Sequence, residues 1–204
     1  ARTAMAIFDR LDDATNTVNA VLASGVLPTS IELIDDVTAR CIEANKPIGL
    51  PLDAAASLLF GVDGNDERVV DEDVARIGQI ATGIGAREIR IAADNAESDK
   101  MWNARRAISP SLARRRPNKL GEDIAVPRSA IAEMARRVRA IAAKYALEIP
   151  LYGHIGDGNL HPNILCDRRN REEMERVTLA AREIFEAAVE LGGTLSGEHG
   201  IGLL

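Results

Sequence analysis

Short strand-like segments and longer helical repeats alternate along most of the chain. The strand candidates carry β-branched or aromatic residues beside turn signals, and they are Ala4–Phe8, Ser30–Ile34, Ala56–Val62, Ile89–Ala93, Asp123–Pro127, Pro150–Ile155 and Leu160–Leu165. Two apolar stripes recur at steps of three and four residues, as one face of a helix requires: Val70, Val74, Ile77, Ala81 and Ile84, then Met174, Val177, Ala181, Ile184 and Ala188. Further helical patterns cover Asp12–Ala23, Asp35–Ala44, Glu97–Arg115 and Ser129–Tyr145. This order predicts an α+β fold, a ferredoxin-like split βαβ sandwich with an antiparallel sheet and helices on one face.

Composition and charge narrow the classes of function. The hydrophobic content of 46% supports a real core, and the formal charge of −6 argues against nucleic acid as a partner. No apolar run approaches the roughly 18 residues that a membrane span needs. Cys41 and Cys166 lack metal-ligand spacing, so we expect reduced, buried or half-buried thiols in a cytoplasmic protein. No Gly-x-Gly-x-x-Gly follows a strand, so a Rossmann site is not supported.

Both ends of the sequence suggest part of a longer protein. The chain begins inside a strand-like alternation without an initiator Met, and it stops directly after a dense glycine-rich motif. We therefore expect these 204 residues to be part of a longer protein.

All three histidines of the chain lie beside glycines near its end. In "LYGHIGDGNLHPNILCD", Asp157-Gly158 is a strong signal for a two-residue type I′ hairpin loop. That loop would place His154 opposite His161, with Tyr152 and Asn163 on the same face. The other face would carry the apolar residues Leu151, Ile155, Leu160 and Ile164. One side of the hairpin is then core, and the other side is available for chemistry.

Opposed strand residues hold their Cβ atoms about 4.5–5.5 Å apart, so His154 and His161 could share one metal ion. The later segment "SGEHGIG" adds the carboxylate of Glu198 and the imidazole of His199. A His₂Glu set with open coordination positions is typical of a catalytic metal site, and His199 would remain free as a base. The competing interpretation is a solvated polar sheet face followed by a surface loop.

These segments together resemble the C-terminal domain of FAD-linked oxidases. The resemblance rests on "GHIGDGNLHPN", followed about thirty residues later by "GGTLSGEHGIG", and on "MWNARRAISP" and "EDIAVPRSAI" in the same order. It points to the branch that contains D-lactate dehydrogenase, the glycolate oxidase flavin subunit and D-2-hydroxyglutarate dehydrogenase. It implies that residues 1–204 are a partial substrate-capping domain, with FAD held mainly by an N-terminal domain absent from this chain. The segment that follows the "GEHGIG" motif in the family would be absent as well.

The resemblance implies a metal site and a base. His154, His161 and Glu198 would be ligands of a divalent metal, with zinc expected first and manganese or iron as alternatives. His199 would be the base that removes the hydroxyl proton of the substrate. The chain alone is expected to be inactive, because the flavin site would lie elsewhere.

The resemblance also implies substrate contacts. Arg105 would pair with the substrate carboxylate, Ser109 would add a hydroxyl contact, and Asn163 would contact the substrate. Some relatives have lysine where this chain has Gly121, and Lys119 is a candidate replacement. The second anion contact, and with it the identity of the substrate, is therefore open.

The function implied is oxidation of a small anionic D-2-hydroxy acid to a 2-oxo acid, with hydride transfer to FAD. Three alternatives stay open: a metal-dependent hydrolase, a non-catalytic metal- or ligand-binding module, and a flavoenzyme whose histidines contact substrate without a metal. The sequence does not specify the electron acceptor, and a homodimer is compatible with it.

Overall fold

A computed structural model describes residues 1–200 of the chain. Its strands are β1 (Arg2–Phe8), β2 (Ser30–Asp35), β3 (Ala56–Val62), β4 (Ala86–Ile91), β5 (Asn118–Gly121), β6 (Ile124–Ala125), β7 (Leu151–His154) and β8 (Asn159–Cys166). Its α-helices are α1 (Leu11–Ala23), α2 (Asp36–Asn45), α3 (Glu67–Ile84), α4 (Asn95–Arg115), α5 (Ile131–Tyr145) and α6 (Arg171–Glu190). Short 3-10 turns cover Arg128–Ala130 and Ile155–Asp157.

The strands form one sheet in the order β4-β1-β3-β2-β7-β8-β5, and β6 pairs with β8 beside β5. All these pairings are antiparallel, which confirms the predicted α+β class with an antiparallel sheet. The ferredoxin-like detail stays a prediction: β4-β1-β3-β2 is compatible with a split βαβ unit, and four more strands extend the sheet.

Helices cover both faces of the sheet, so the expectation of helices on one face is corrected. Helices α1, α3, α5 and α6 pack on one face, and α2 and α4 pack on the other. Strand β1 explains the second layer, because Ala6 and Phe8 are buried on the first face while Met5 and Ile7 are buried on the second. A strand that is apolar on both faces needs cover on both, and the unbroken run in "AMAIF" carried that signal.

Most predicted elements are present within a few residues of their predicted bounds. The strand predicted at Ile89–Ala93 begins earlier, at Ala86, and the one predicted at Asp123–Pro127 is paired as a strand only at Ile124–Ala125. The sequence missed β5, because "NKLG" has neither alternation nor β-branched residues. Four members of the predicted stripe in α3 are buried (Val70, Val74, Ile77 and Ala81), whereas Ile84 in the last turn is only partly buried. Gly85 ends that helix with a φ of +130°.

Two further features of the chain can be compared with the sequence, its cysteines and the character of its helices. Cys41 and Cys166 are both free and buried, as predicted. Among residues 1–200, no helix combines the length and the apolar character of a membrane span.

Candidate functional site

The predicted site residues converge on one cavity between α4 and the β2, β7, β8 and β5 part of the sheet. The cavity has a volume of about 470 Å³. All seven residues singled out from the sequence line it: Arg105, Ser109, His154, His161, Asn163, Glu198 and His199. Helix α4 contributes Arg105 and Ser109, the strands contribute three residues, and the terminal loop contributes the last two. The final two residues of the "GEHGIG" motif, 201–202, lie outside the described residues.

The hairpin that carries the first two histidines has a different register from the predicted one. Tyr152, not His154, lies opposite His161, and His154 pairs with Glu32 of β2. The two-residue loop is replaced by a 3-10 turn at Ile155–Asp157, which makes the connection longer. Gly158 ends that turn with a φ of +81°, a conformation that favours glycine.

The predicted division of the hairpin into two faces is confirmed despite the change of register. A shift of two residues leaves every side chain on its original face, because the side-chain period of a strand is two. The four residues predicted to face the core are buried in the main hydrophobic cluster: Leu151, Ile155, Leu160 and Ile164. The imidazole of His154 still approaches that of His161, with ring centroids 5.5 Å apart.

Three potential ligand atoms meet at the centre of the cavity. Glu198 Oε1 lies 3.3 Å from His161 Nε2 and 3.6 Å from His154 Nε2, and the three atoms all lie within 4.8 Å of one another. Ligands at about 2.0–2.1 Å around a tetrahedral zinc lie roughly 3.3 Å from each other. The distances to Glu198 are therefore compatible with one shared ion, and the donor set is the one expected from the sequence.

His199 lies directly beside this set. Its ring stacks on that of His161 with centroids 5.3 Å apart, and its Nε2 atom is 3.5 Å from Glu198 Oε1. The side chain is 64% exposed, so it faces the open part of the cavity. Its Nδ1 atom also joins Asp123 and His161 in a second group with metal-ligating atoms close together.

Asp123 fixes the terminal loop to the sheet. Its Oδ2 atom accepts hydrogen bonds from the backbone N–H groups of Glu198 and His199, both at 2.7 Å, and from the Ser196 hydroxyl at 3.2 Å. Burial opposes ionisation of Asp123, but the bonds from His199, Glu198 and Ser196 outweigh it and lower the pKa of the carboxyl. Sequence reasoning gave this residue no role.

The buried environment of His161 favours the neutral imidazole. Burial is the main cause that lowers its pKa to about 4, and His154 and His199 act in the same direction. Asp123 opposes this shift from 3.5 Å, the distance between its Oδ1 atom and His161 Nδ1. A neutral imidazole near pH 7 keeps a lone pair for a metal or for a substrate proton.

The proposed carboxylate contact, Arg105, already has a partner in the protein. It donates its Nε–H to Glu32 Oε2 at 2.6 Å, and its Nη2 atom lies 3.4 Å from His154 Nε2. Its guanidinium also lies 5.4 Å from the centre of the Tyr152 ring. Arg105 lines the cavity, and its Nε–H is engaged by Glu32, so one edge of the guanidinium is held in place.

The other two predicted contacts are also tied into the structure. Ser109 Oγ accepts a hydrogen bond from Lys119 Nζ at 2.9 Å, which brings the candidate replacement lysine into the cavity. Burial lowers the pKa of the Lys119 amine. Asn163 donates its amide to Tyr152 Oη and to the His161 carbonyl. A side chain at Gly121 would press on Asn163, since a Cβ there would lie 2.9 Å from its Oδ1 atom.

Glu32 is another residue at the site to which the sequence analysis gave no role. It is a buried acidic residue in the middle of β2, and its Oε1 atom lies 2.6 Å from His154 Nδ1. A charged residue inside an otherwise apolar strand was the available signal, because a buried carboxylate requires a partner. The pattern could not identify that partner.

Seven basic residues and no acidic ones lie between Lys100 and Lys119, and the arginines at the end of this basic run make structural contacts. Arg114 donates to Asn45, Arg115 pairs with Glu148, and Arg116 pairs with Glu173. Trp102 packs against the second hydrophobic cluster. These contacts leave Arg105 and Lys119 as the members of the run that line the cavity.

Comparison with known proteins supports the resemblance seen in the sequence. The chain is 43% identical to "Glycolate oxidase subunit GlcD" of Bacillus subtilis (strain 168) over 98% of its length and 43% of that protein. It is 32% identical to a "D-lactate dehydrogenase" of Archaeoglobus fulgidus over 96% of its length and 42% of that protein. The chain thus spans less than half of these relatives.

A solved structure of p-cresol methylhydroxylase with substrate bound superimposes with a TM-score of 0.71 at 16% identity, covering 94% of this chain and 44% of that one. At this identity the match shows the fold alone. The family model described as FAD linked oxidases, C-terminal domain, matches residues 1–204. The chain therefore belongs to the FAD-linked oxidases as their C-terminal domain.

Proposed function

We propose that the chain is the substrate- and metal-binding domain of a flavin-dependent dehydrogenase or oxidase of D-2-hydroxy acids. The observation that carries the proposal is that His154, His161 and Glu198 each offer one ligand atom within 4.8 Å of the other two, with Glu198 Oε1 3.3 Å from His161 Nε2 and 3.6 Å from His154 Nε2. The names of the relatives support the substrate class, since glycolate and D-lactate are both 2-hydroxy acids. Family membership supports FAD as the redox cofactor.

The flavin would be held mainly outside these 204 residues. This part of the proposal rests on coverage, because the chain spans 43% of one relative and 42% of another. The FAD-binding domain and a terminal segment would complete the protein. The present domain would then cover the substrate and supply the groups that bind and deprotonate it.

The residues fit a divalent ion by the chemistry of their donors. Two imidazoles and a carboxylate form a set that zinc, manganese and iron all accept, and zinc is the first expectation. When bound, the flavin supplies the hydride acceptor and the ion supplies a Lewis acid that lowers the pKa of the substrate hydroxyl. His154, His161 and Glu198 would hold that ion.

The remaining roles belong to side chains around this centre. His199 would accept the hydroxyl proton at a ring nitrogen, and its Nε2 atom lies 3.5 Å from Glu198. The free edge of Arg105 would bind the substrate carboxylate, since a planar guanidinium matches a carboxylate in two parallel hydrogen bonds. Ser109 and Asn163 would add polar contacts. Holding the carboxylate fixes which hydrogen of C2 faces the flavin.

The charge inside the cavity supports an anionic substrate. Arg105 and Lys119 line it together with the acidic Glu122 and Glu198, and a bound divalent ion would leave the cavity with an excess of positive charge. A local positive field attracts small anions and raises their concentration at the site. The electron acceptor stays unassigned, and a cytoplasmic location and a homodimer stay predictions.

The metal can be tested by measuring the metal content of the complete protein, purified without chelators, by elemental mass spectrometry. We expect near-stoichiometric zinc, manganese or iron in the wild type and loss of the ion in a His154→Ala/His161→Ala variant. A Lys144→Ala/Glu183→Ala variant, which removes a surface ion pair instead, should retain the ion. A panel of D-2-hydroxy acids with an artificial electron acceptor then identifies the substrate.

The same experiment separates the competing functions. A metal-dependent hydrolase would act without flavin, although the sequence lacks a His-Glu-x-x-His helix motif. A binding module would retain the ion but give no turnover with any member of the panel. Turnover without metal in either protein would leave the histidines as direct substrate contacts and would contradict the metal mechanism.

A further inference from the structure

Glu32 occupies an unusual position for a carboxylate. It lies in the middle of β2, between β3 and β7 in the sheet, and is 4% exposed. Its neighbour Leu33 packs into the main core, so Glu32 points toward the opposite face, where α4 lies. Each of its two oxygens serves a different residue of the candidate site: Oε1 lies 2.6 Å from His154 Nδ1, and Oε2 accepts from Arg105 Nε at 2.6 Å.

We infer that Glu32 is a positioning residue. It fixes His154 in the tautomer with the proton on Nδ1, and it orients Arg105 so that its free edge faces the cavity. The consequences for metal and substrate rest on the proposed function. The tautomer itself does not, because it follows from contacts inside the protein.

The assignment of the tautomer follows from donor and acceptor chemistry. A carboxylate paired with a guanidinium accepts hydrogen bonds and donates none, so the short contact to Glu32 requires a proton on His154 Nδ1. In the neutral imidazole, Nε2 then carries the lone pair. The Nη2 group of Arg105 lies 3.4 Å from that atom and has only protons to offer. Both neighbours of His154 therefore favour the same tautomer.

That tautomer leaves an excess of acceptors in the cavity. The lone pair of His154 Nε2 and the carboxylate oxygen of Glu198 face each other at 3.6 Å, and His161 Nε2 lies 3.3 Å from the same oxygen. If Nδ1 of His154 carries the proton, Nε2 has none to donate to Glu198. A cation between these atoms removes the repulsion, and histidine ligands typically bond a carboxylate through their other nitrogen.

The Arg105 contact determines which edge of the guanidinium remains available. Glu32 takes the Nε–H, and the Tyr152 ring lies 5.4 Å from the guanidinium carbon. These two contacts restrict the long side chain to one conformation. The Nη pair is then presented to an anion with little further loss of side-chain entropy.

Stability alone does not account for an ion pair at this position. Replacing a buried ion pair with apolar residues of similar volume is often neutral or stabilising, and the neighbours of Glu32 in β2 are apolar. The two bonds from Glu32 both lead into the cavity. A role in orienting the site is the property that an apolar residue could not replace.

The direct test is to determine which ring nitrogen of His154 carries the proton, by nitrogen-15 NMR of metal-free protein with labelled histidines. A His154→Gln variant identifies the signals of His154. We expect a protonated Nδ1 in the wild type and a change toward protonated Nε2 in Glu32→Gln, because the new amide can donate to Nδ1. Glu173→Gln is the matched control, since buried Glu173 also pairs with an arginine, Arg116, at 2.6 Å. An unchanged His154 signal in Glu32→Gln would overturn the inference.

Two further measurements connect the tautomer to the proposed function. We expect Glu32→Gln to weaken metal binding roughly 10–100-fold and to raise KM for the hydroxy acid more than it lowers kcat. Glu32→Asp keeps the charge but withdraws both oxygens, so it should retain the Nδ1 proton and bind metal with intermediate affinity. Wild-type metal affinity and KM in both variants would refute the positioning role.

Failure of the proposed function has a different signature. In that case the wild-type protein binds no metal and oxidises no hydroxy acid, yet the NMR comparison still decides whether Glu32 sets the tautomer. Should Glu32→Gln fail to fold, the Asp variant decides the matter: a wild-type metal affinity there is incompatible with the inference.

Discussion

His161 and Glu198 offer ligand atoms 3.3 Å apart, yet they belong to parts of the molecule with very different support. The strand half of the site (His154, His161 and Asn163) lies on β7 and β8, where neighbouring strands and buried partners restrain each side chain. The loop half (Glu198 and His199) follows α6 and lies on an irregular segment. The side chain of His161 is 5% exposed, whereas that of His199 is 64% exposed.

The two halves differ in their proposed roles, because the strand half supplies two of the three metal ligands, whereas the loop half supplies the third, Glu198, together with the base His199. Groups that must hold an ion benefit from rigid strands, since ligand geometry has to be fixed before binding. A base that exchanges protons with substrate and solvent benefits from exposure. The loop half is nevertheless restrained, because the single carboxylate of Asp123 binds its backbone at two N–H groups.

The largest expected effect comes from removing the base of the loop half. His199→Ala should lower kcat by about 10²–10⁴-fold, the usual contribution of a general base, while the metal content stays at the wild-type level. Steady-state kinetics with the substrate found in the panel, beside elemental analysis, would measure both. The opposite result, in which His199→Ala loses the metal and His154→Ala retains it with normal activity, would contradict the assignment of His199 as the base and His154 as a ligand.

The next effect concerns the restraint on the loop. Asp123→Ala removes the acceptor for the N–H groups of Glu198 and His199, so hydrogen exchange at these two amides should accelerate at least tenfold. Amides of β7 and β8 away from Asp123 should keep their protection. Metal binding should weaken by about one order of magnitude, in line with the loss of an outer partner.

A suitable control for the loop is Asp167→Ala. Asp167 follows the last residue of β8 and pairs with exposed Arg169. Its removal should leave hydrogen exchange at residues 198–199 unchanged. Equal acceleration in both variants would mean that the loop responds to global stability and not to the Asp123 bonds.

The strand half should show its own signature in the pH dependence of stability. Burial lowers the pKa of His161 in the native protein to about 4, against an ordinary value of 6.5, so between these values the unfolded chain binds the proton and the native protein does not. The free energy of unfolding of metal-free protein therefore falls as pH drops from about 6.5 to 4, by at most about 1.4 kcal/mol per pH unit.

The contribution of His161 is isolated by comparison with His161→Gln. Asp35 acts in the opposite direction in nearly the same range, because burial raises its pKa to about 6, so native stability gains from its protonation as the pH falls. Denaturant titrations of both proteins between pH 4 and 7 would cancel Asp35 and leave the difference due to His161. Parallel curves for the two proteins would show that His161 titrates as in the unfolded chain.

The two halves also differ in how far the sequence could predict them. Local patterns were enough for the helices and for most strands, although not for β5, and the identity of the three histidines and Glu198 was enough to propose the metal set. The register of the hairpin was wrong, because the choice between a two-residue loop and the 3-10 turn at Ile155–Asp157 depends on the partner strand β2. The register differs by two residues, which leaves every side chain on its predicted face, so the predicted site residues still lie together.

The two residues that hold the site in place through hydrogen bonds, Glu32 and Asp123, could not be predicted for a related reason. Glu32 is 122 residues from His154 in sequence, and Asp123 is 76 residues from His199. Nothing in local periodicity links such distant positions. The second helical layer was missed because the prediction treated strands as one-sided, although β1 and β3 are apolar on both faces.

The smallest expected effect is on substrate binding, from Lys119 beside the strand half of the site. Lys119 of β5 donates to Ser109 of α4 at 2.9 Å and contributes positive charge to the cavity without contacting the three ligand atoms. Lys119→Met should therefore raise KM for an anionic substrate only a few-fold, because one partly exposed charge contributes about 1 kcal/mol. Neither kcat nor metal content should change. The control is Lys144→Met, which removes a charge from the exposed pair with Glu183. An equal rise of KM in both variants would show that the effect comes from the net charge of the protein and not from the cavity.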